Sequence, residues 1–261
     1  MPEALSRALA GAVLSILVAA AARRARTLTA SGAIAAAVVG GISVAAGWSW
    51  GLLLLSLFVS SSALSRIGEQ RKADRVGSVV EKGDDRDAAQ VIANGGVFAA
   101  AALGYILVPS PAWYAIGAGA LAASNADTWA TEIGTLAGTE PVSIISWQRV
   151  PTGTSGGISL MGTAGGIFGA LFIAAVAALA NWPVPFTAMA LGGIAGALAD
   201  SLLGATLQAR RWCEVCSKST ERLTHSCGAK TRHAGGLAGF DNDAVNFVCS
   251  CVGGLIALLL T

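Results

Sequence analysis

The sequence predicts an all-α, polytopic integral membrane bundle of about eight spans with no soluble domain, and three observations carry that expectation. The 261 residues are 54% hydrophobic and only 12% charged, with a mean hydropathy of +0.65, whereas an average soluble domain carries about 25% charge. Apolar runs at residues 4–22, 29–47, 49–66, 88–108, 112–131, 156–181, 184–208 and 242–260 each approach the ~20 residues that cross a hydrocarbon core. Charge alternates between the connections: all of the 17 lysines and arginines except Arg7 fall in those holding Arg23 to Arg26, Arg66 to Arg86, Arg149, and Arg210 to Arg232. The turns Gly47 to Trp50, Pro109 to Trp113 and Asn181 to Pro185 are nearly bare.

Taken in order, the first span has no polar cleavage region with a small-residue site followed by a soluble domain, so it reads as a retained helix and not a signal peptide. Arg23, Arg24 and Arg26 end it on the side that the positive-inside rule makes cytoplasmic, which puts both termini opposite. Spans two and three meet at a bare turn. The 67–87 loop that follows is cytoplasmic, charged and polar. It leads into a helix start at Glu81 to Gly96 that carries Lys82, Arg86, Asp87, Gln90 and Asn94, the two amides four apart and on one face. Spans four to seven alternate with small-residue faces such as Gly165-Gly166 and Gly192-Gly193, which suit close helix packing, as Gly40-Gly41 does in span two. The 209–241 loop, also cytoplasmic, is long enough for a small structure of its own, and Asp241 opens the last span. Residues 1–261 thus form one membrane domain. Trp48, Trp50, Trp113, Tyr114 and Trp182 fall at the outer turns, where an aromatic belt would place them. A net charge of +2 gives no case for nucleic-acid binding.

The chemistry-bearing residues lie near the cytoplasmic ends of the helices. Asn125, Thr128 and Glu132 are spaced to share a helical face with Asp127 beside it, and an ionisable residue inside a span is a functional candidate by default. Asp200 and Ser201 repeat the Ala-Asp-Thr/Ser core of residues 126–128, and a parallel duplication would set Asp127 and Asp200 at one centre. Asp241, Asn242, Asp243 and Asn246 open the last helix, where capping is the competing role for Asp241. Oxygen donors of this kind suit Mg²⁺ held together with substrate phosphates.

Thr152, Gly153, Thr154, Ser155, Gly156 and Gly157 form a glycine and hydroxyl loop before a helix opening at Ile158, a setting for an anion, although no Gly-Lys-Ser/Thr follows to make it a Walker loop. Its plainer reading is a turn with Thr154 or Ser155 as N-cap. Cys213-x-x-Cys216, with His225, Cys227 and His233 beyond, reads either as a zinc set or as free thiols, a reducing cytosol arguing against a disulfide. Cys249 and Cys251 lie in the last span as small packing residues.

The stretches NADTWATEIG, PTGTSGGISLMGT, QVIANGG and GFDNDAVNF, with the Cys-x-x-Cys and the later His-Cys pair, resemble in order and over nearly the whole chain the membrane family once called domain of unknown function 92. That family includes transmembrane protein 19 and the phytyl-phosphate kinases of plants and cyanobacteria, which act in tocopherol synthesis. The resemblance implies phosphorylation of an isoprenyl monophosphate to the diphosphate, with CTP favoured over other nucleoside triphosphates as donor, in a cell inner membrane or a thylakoid. It implies a Mg²⁺ site among Asp127, Glu132, Asp200, Asp241, Asn242 and Asp243. It also implies a binding site of Asn125 and the Thr152 to Gly157 loop, to which the amides of Asn94 and Asn246, at the two helix starts, are added by their position in the sequence.

A lipid monophosphate is already an anionic nucleophile at neutral pH, so catalysis would rest on positioning and on Lys82, Arg86 or Arg149 offsetting charge. Two other classes stay open: another lipid-phosphate or nucleotidyl transferase, and a transporter that uses midplane acids as its path.

Overall fold

The computed structural model describes residues 2–76 and 85–261, with side chains from residue 5 onward. Helices α1 (Pro2–Arg24), α2 (Ala30–Ala46) and α3 (Trp48–Arg66) are followed by a short α4 (Glu69–Val76). Then come α5 (Ala88–Leu107), α6 (Pro111–Ala137), β1 (Val142–Ser143), β2 (Gly157–Ile158), α7 (Leu160–Leu179) and α8 (Phe186–Thr206). Strands β3 (Arg210–Cys213), β4 (Lys218–Thr220) and β5 (Arg232–Gly235) precede α9 (Asn242–Leu259). Among the described residues six helices, α1, α3, α5, α7, α8 and α9, are long and apolar enough to cross a membrane. Helix α2 is shorter at 17 residues, and α6, at 27 residues, carries Asp127 and Glu132 within its length. The eight long helices correspond to the eight apolar runs, and their outward faces are apolar: Leu5, Leu9, Val13, Leu17, Ile34, Val38 and Leu103 are all exposed, as lipid contact requires.

Helix α6 is the axis of the bundle, packed by α5, α7, α8 and α9. From Ala115 to Ala126 almost every residue on it is buried, because only glycine, alanine and serine let four neighbours approach one helix all round. At the crossing with α9, a Cβ on Gly119 would lie 2.2 Å from the Gly253 carbonyl oxygen and 2.5 Å from Ala257 Cβ, so the two backbones meet where no side chain fits. Ser124 Oγ and Ser250 Oγ, 2.8 Å apart, bond these helices again, and both stand within reach of carbonyls of α5, Asn94 O at 2.9 Å and Ala93 O at 3.2 Å, so that one hydroxyl donates to the other serine and the second to a carbonyl.

The ends of the bundle differ in kind. At the end with the bare turns, Trp50 and Trp182 are buried with ring centroids 4.7 Å apart, and Phe98, Tyr105 and Tyr114 complete the cluster. The expected aromatic belt is therefore met by Trp48, which is 56% exposed, while Trp50 and Trp182 turn inward to fill the space left between helices of small residues. Arg7, the one basic residue assigned to this end, donates from Nε to Ala45 O at 3.2 Å near the end of α2.

The opposite end collects the charged connections and two small sheets. Strand β1 pairs with β2, and β4, β3 and β5 form an antiparallel sheet with β3 central. The pairing of Gly157-Ile158 with β1 delays the start of α7 to Leu160, with Ser159 as N-cap, two residues past the opening expected at Ile158. The 67–87 connection holds α4, whose Lys72 donates to the last carbonyls of α3, Leu64 O at 2.9 Å and Ser65 O at 2.6 Å.

Candidate functional site

A polar cavity of about 620 Å³ opens among the charged connections. Its walls come from Arg86, Gln90 and Asn94 at the start of α5, Asp127 to Thr135 on α6, and Thr152 to Ser159 before α7. Asp200 and Ser201 on α8, Glu221 after β4, and Asp241, Asn242, Asp243 and Asn246 at the start of α9 complete them. Three helix N-termini, those of α5, α7 and α9, converge here, and each presents partial positive charge to an anion.

The carboxyl groups of Asp127 and Asp200 lie close together on the cavity wall, with Glu221 near Asp200. Asp127, Glu132, Asp200, Glu221, Asp241 and Asp243 set six carboxylates on the lining, and Arg86 is its one basic side chain among the described residues. A phosphorylated ligand entering such a wall needs cations with it.

Buried oxygen atoms point to where a cation fits. Asn94 Oδ1, Asp200 Oδ2 and Asn246 Oδ1 are buried without a hydrogen-bond partner among the described residues, which is costly unless something binds them. Asn94 is held by its amide Nδ2 donating to Gln90 O at 3.0 Å, which leaves the oxygen free. These atoms, with Asp127 and Asp243 alongside, form a hard, all-oxygen donor set, and it fits Mg²⁺.

Other expected site residues have different employment. Asn125 is fully buried away from the cavity, accepting from Ser60 Oγ at 3.1 Å and donating to Gly169 O at 2.8 Å. Asn125 lies about 200° round the helix from Asp127, at a level where α3 and α7 close on that side, whereas Glu132, on the same side but about 10 Å nearer the cavity end, reaches the lining. Arg149 is exposed and paired with Glu140 at 3.1 Å, outside the cavity. Glu132 lines the cavity, but one oxygen accepts from Ser65 Oγ and the other from Lys72 Nζ, an ion pair with little exposure. Asp241 caps α9, accepting from Ala244 N at 3.0 Å, and still reaches the lining. Asn242 stands exposed beside it. Lys82 lies outside the described residues.

The Thr152 to Gly157 loop folds as two tight turns, Thr154 N to Pro151 O at 3.1 Å and Gly157 N to Thr154 O at 3.0 Å, with Gly153 and Gly156 at φ of 88° and 76°. The N–H groups of Gly153, Ser155 and Gly156 take no part in its backbone hydrogen bonds. Gly156 is also a contact point, since a Cβ there would sit 2.4 Å from Ala205 Cβ of α8. Ser155 Oγ donates to Glu221 Oε1, a partner that sequence spacing does not reveal because it arrives from the β-sheet. Lys72 was equally hidden; its only sequence signal is one lysine on the inward side of an amphipathic turn.

Cys213, Cys216, His225 and Cys227 come together in the 209–241 connection, while His233 lies on β5 opposite Arg211. The Ala229 N–H and the His225 ring hold the Cys227 thiol down to about 6. The neighbouring Cys227 thiol pushes the Cys216 thiol up to about 11.

A second, apolar groove of about 390 Å³ runs along α1, α2 and α3, lined by Leu14, Val18, Leu28, Val39, Leu52, Leu55 and Phe58. It shares Arg86, Gln90, Asn94 and Thr128 with the polar cavity, so the two spaces meet at those four residues.

Residues 13–254 match the family described as integral membrane protein DUF92. Protein PGR of Arabidopsis thaliana is 32% identical over 267 residues, covering 90% of each chain. An uncharacterised membrane protein of Methanocaldococcus jannaschii is 28% identical over 242 residues, covering 91% of this chain and 87% of its own. A third relative, an uncharacterised membrane protein of Synechocystis, is 32% identical over 194 residues, covering 72% and 74%. No solved structure matches the chain. The agreement in sequence across the whole bundle makes this chain a member of the DUF92 family of integral membrane proteins.

Proposed function

We propose that the protein is a membrane-embedded kinase that phosphorylates an isoprenyl monophosphate, of the phytyl phosphate kind, to the diphosphate, with CTP or another nucleoside triphosphate as donor. The observation that carries this reading is the junction of the two spaces. An apolar groove open along α1 to α3 ends at Arg86, Gln90, Asn94 and Thr128, where the polar cavity begins. A substrate that fills both has a long hydrocarbon tail and an anionic head.

In this reading the tail lies in the groove and Arg86 with Gln90 receives the head phosphate. The donor phosphates lie against the N–H groups of the Thr152 to Gly157 loop and the first turn of α7. An oxygen of the lipid phosphate attacks the terminal phosphorus of the donor. A new P–O bond forms as the bond to the bridging oxygen breaks, and the nucleoside diphosphate leaves. No proton needs to be removed, so the chain's part is to orient the two anions in line and to screen their repulsion. Asp127, Asp200, Asp243, Asn94 and Asn246 would hold Mg²⁺, which supplies charge neutralisation to the donor phosphates. Arg86 offsets charge from the lipid side.

The aromatic plug formed by Trp50, Trp182, Phe98, Tyr105 and Tyr114 speaks against the transport reading, since it fills the bundle between the cavity and the far end. The test is to incubate purified protein in lipid nanodiscs with Mg²⁺, CTP labelled at the γ- or the α-phosphate, and a panel of prenyl alcohols and monophosphates. Label from the γ-position appearing in prenyl diphosphate, from monophosphates alone, is the expected result. Transfer of the α-label instead identifies a nucleotidyl transferase, and no transfer to any monophosphate overturns the proposal.

A further inference from the structure

The connection between α8 and α9 places one ligand atom each from Cys213, Cys216, His225 and Cys227 within 4.8 Å of all the others. Cys213 Sγ and Cys227 Sγ are 3.7 Å apart, and His225 Nδ1 lies 3.2 Å from Cys227 Sγ. Zinc bound tetrahedrally through Zn–S bonds of ~2.3 Å would hold two sulfurs about 3.8 Å apart. A disulfide needs about 2.05 Å. The sulfurs therefore stand at the spacing of a shared metal and not of a bond to each other.

Local backbone geometry repeats the point from a separate direction. The β3–β4 hairpin sets Cys213 opposite Lys218 and leaves Cys216 in its turn, followed directly by Ser217 at φ 50°. The second pair, His225 and Cys227, lies in a turn closed by Gly228 N donating to His225 O at 2.8 Å, with Gly228 at φ 85°. Each pair of ligands is thus followed by a left-handed residue that curls the backbone round the sulfur. Two knuckles of this form face each other across one small volume.

The segment also needs a clasp. Cys213 is the only buried apolar side chain between residues 209 and 241, so the three-stranded sheet has no hydrophobic core of its own. A sheet of that size without a core is stable when a metal supplies the missing energy.

We propose that Cys213, Cys216, His225 and Cys227 hold one structural Zn²⁺, and that this clasp positions Glu221 against Ser155 at the wall of the polar cavity. Glu221 follows β4 and precedes the second knuckle, so its backbone is fixed on both sides by the zinc-bound segment. Ser155 Oγ donates to it, and both residues line the cavity. Four protein ligands leave no open coordination position, so the metal orders the segment and takes no part in chemistry. The zinc site stands whether or not the kinase reading does, and its test needs no substrate.

The full-length protein, purified in detergent without chelator, should contain about one zinc per chain, and Cys213→Ser and Cys227→Ser should each lower that content by more than half. Removing zinc with a chelator should speed hydrogen exchange at the amides of residues 152–157 by about tenfold, and adding Zn²⁺ should restore it. Glu221→Ala should keep its zinc and show the same loosened loop. Chelated wild-type protein given Co²⁺ should develop the visible absorption of thiolate-bound tetrahedral cobalt, a readout that holds if the cysteine variants fail to fold. Wild-type protein without zinc and without that cobalt spectrum overturns the site. Zinc whose removal leaves exchange at residues 152–157 unchanged overturns its positioning of Glu221.

Discussion

Asp127 and Asp200 meet carboxyl to carboxyl, from two helices that run in the same direction and reach the cavity at the same depth. Each stands in an Ala-Asp-Thr/Ser sequence, so the same short motif delivers an acid to the same centre twice. Two facing carboxylates repel unless a proton or a cation lies between them, and in the proposed kinase that need is what a divalent cation held by both would meet.

Asp127→Asn and Asp200→Asn should each lower turnover by ~10²-fold or more, because an amide keeps the volume but loses charge from the transition-state complex. Thermal unfolding in detergent should shift little, since neither change opens a void. Near-normal turnover in both variants would make the two aspartates structural and move the metal elsewhere.

Lys72→Met should destabilise the fold by about 1–3 kcal/mol, because it removes the ion-pair partner of the largely buried Glu132 and leaves Arg86 as its remaining nearby cation. The double variant with Glu132→Gln should recover part of that loss. A double-mutant cycle read by chemical denaturation measures the coupling, and additive losses would remove the pair from the account of stability.

The positions of the spans are legible in the sequence because a bilayer imposes both length and charge rules, and the depth of Asp127 and Asp200 follows from those rules directly. The spacing already sets Asn125 about 200° from Asp127, but which side of α6 meets α3 and α7 at that level is not legible, and only the contacts with Ser60 and Gly169 reveal it. Glu221 and Lys72 depend on connections folding back over the bundle, where no periodicity announces the contact. Trp50 and Trp182 mark the opposite failure, since belt residues and core residues share the same chemistry and differ only in which way their helices are turned.

Gly119→Ala should destabilise the bundle by about 1–3 kcal/mol through overpacking, because its Cβ would fall 2.2 Å from the carbonyl oxygen of Gly253 and neither backbone has slack to withdraw. Ala120→Gly, one residue along the same helix, serves as the control for helix propensity. Thermal unfolding in detergent reads both, and a Gly119→Ala protein as stable as wild type would mean that α6 and α9 are not held at this distance.

The arginines gathered at the cavity end make a testable prediction of orientation in the membrane. If that end faces the cytoplasm, the C-terminus at Thr261 lies on the other side, because α9 begins at the cavity and crosses once. Alkaline phosphatase is a suitable reporter, since its disulfides form only outside the reducing cytosol. Expressed in a bacterial inner membrane, a fusion after Thr261 should be active, and a fusion truncated after Ser219 in the β-sheet should be inactive. The reverse pattern would put the polar cavity on the outer face, away from cytosolic nucleotide, and the kinase reading would fall with it.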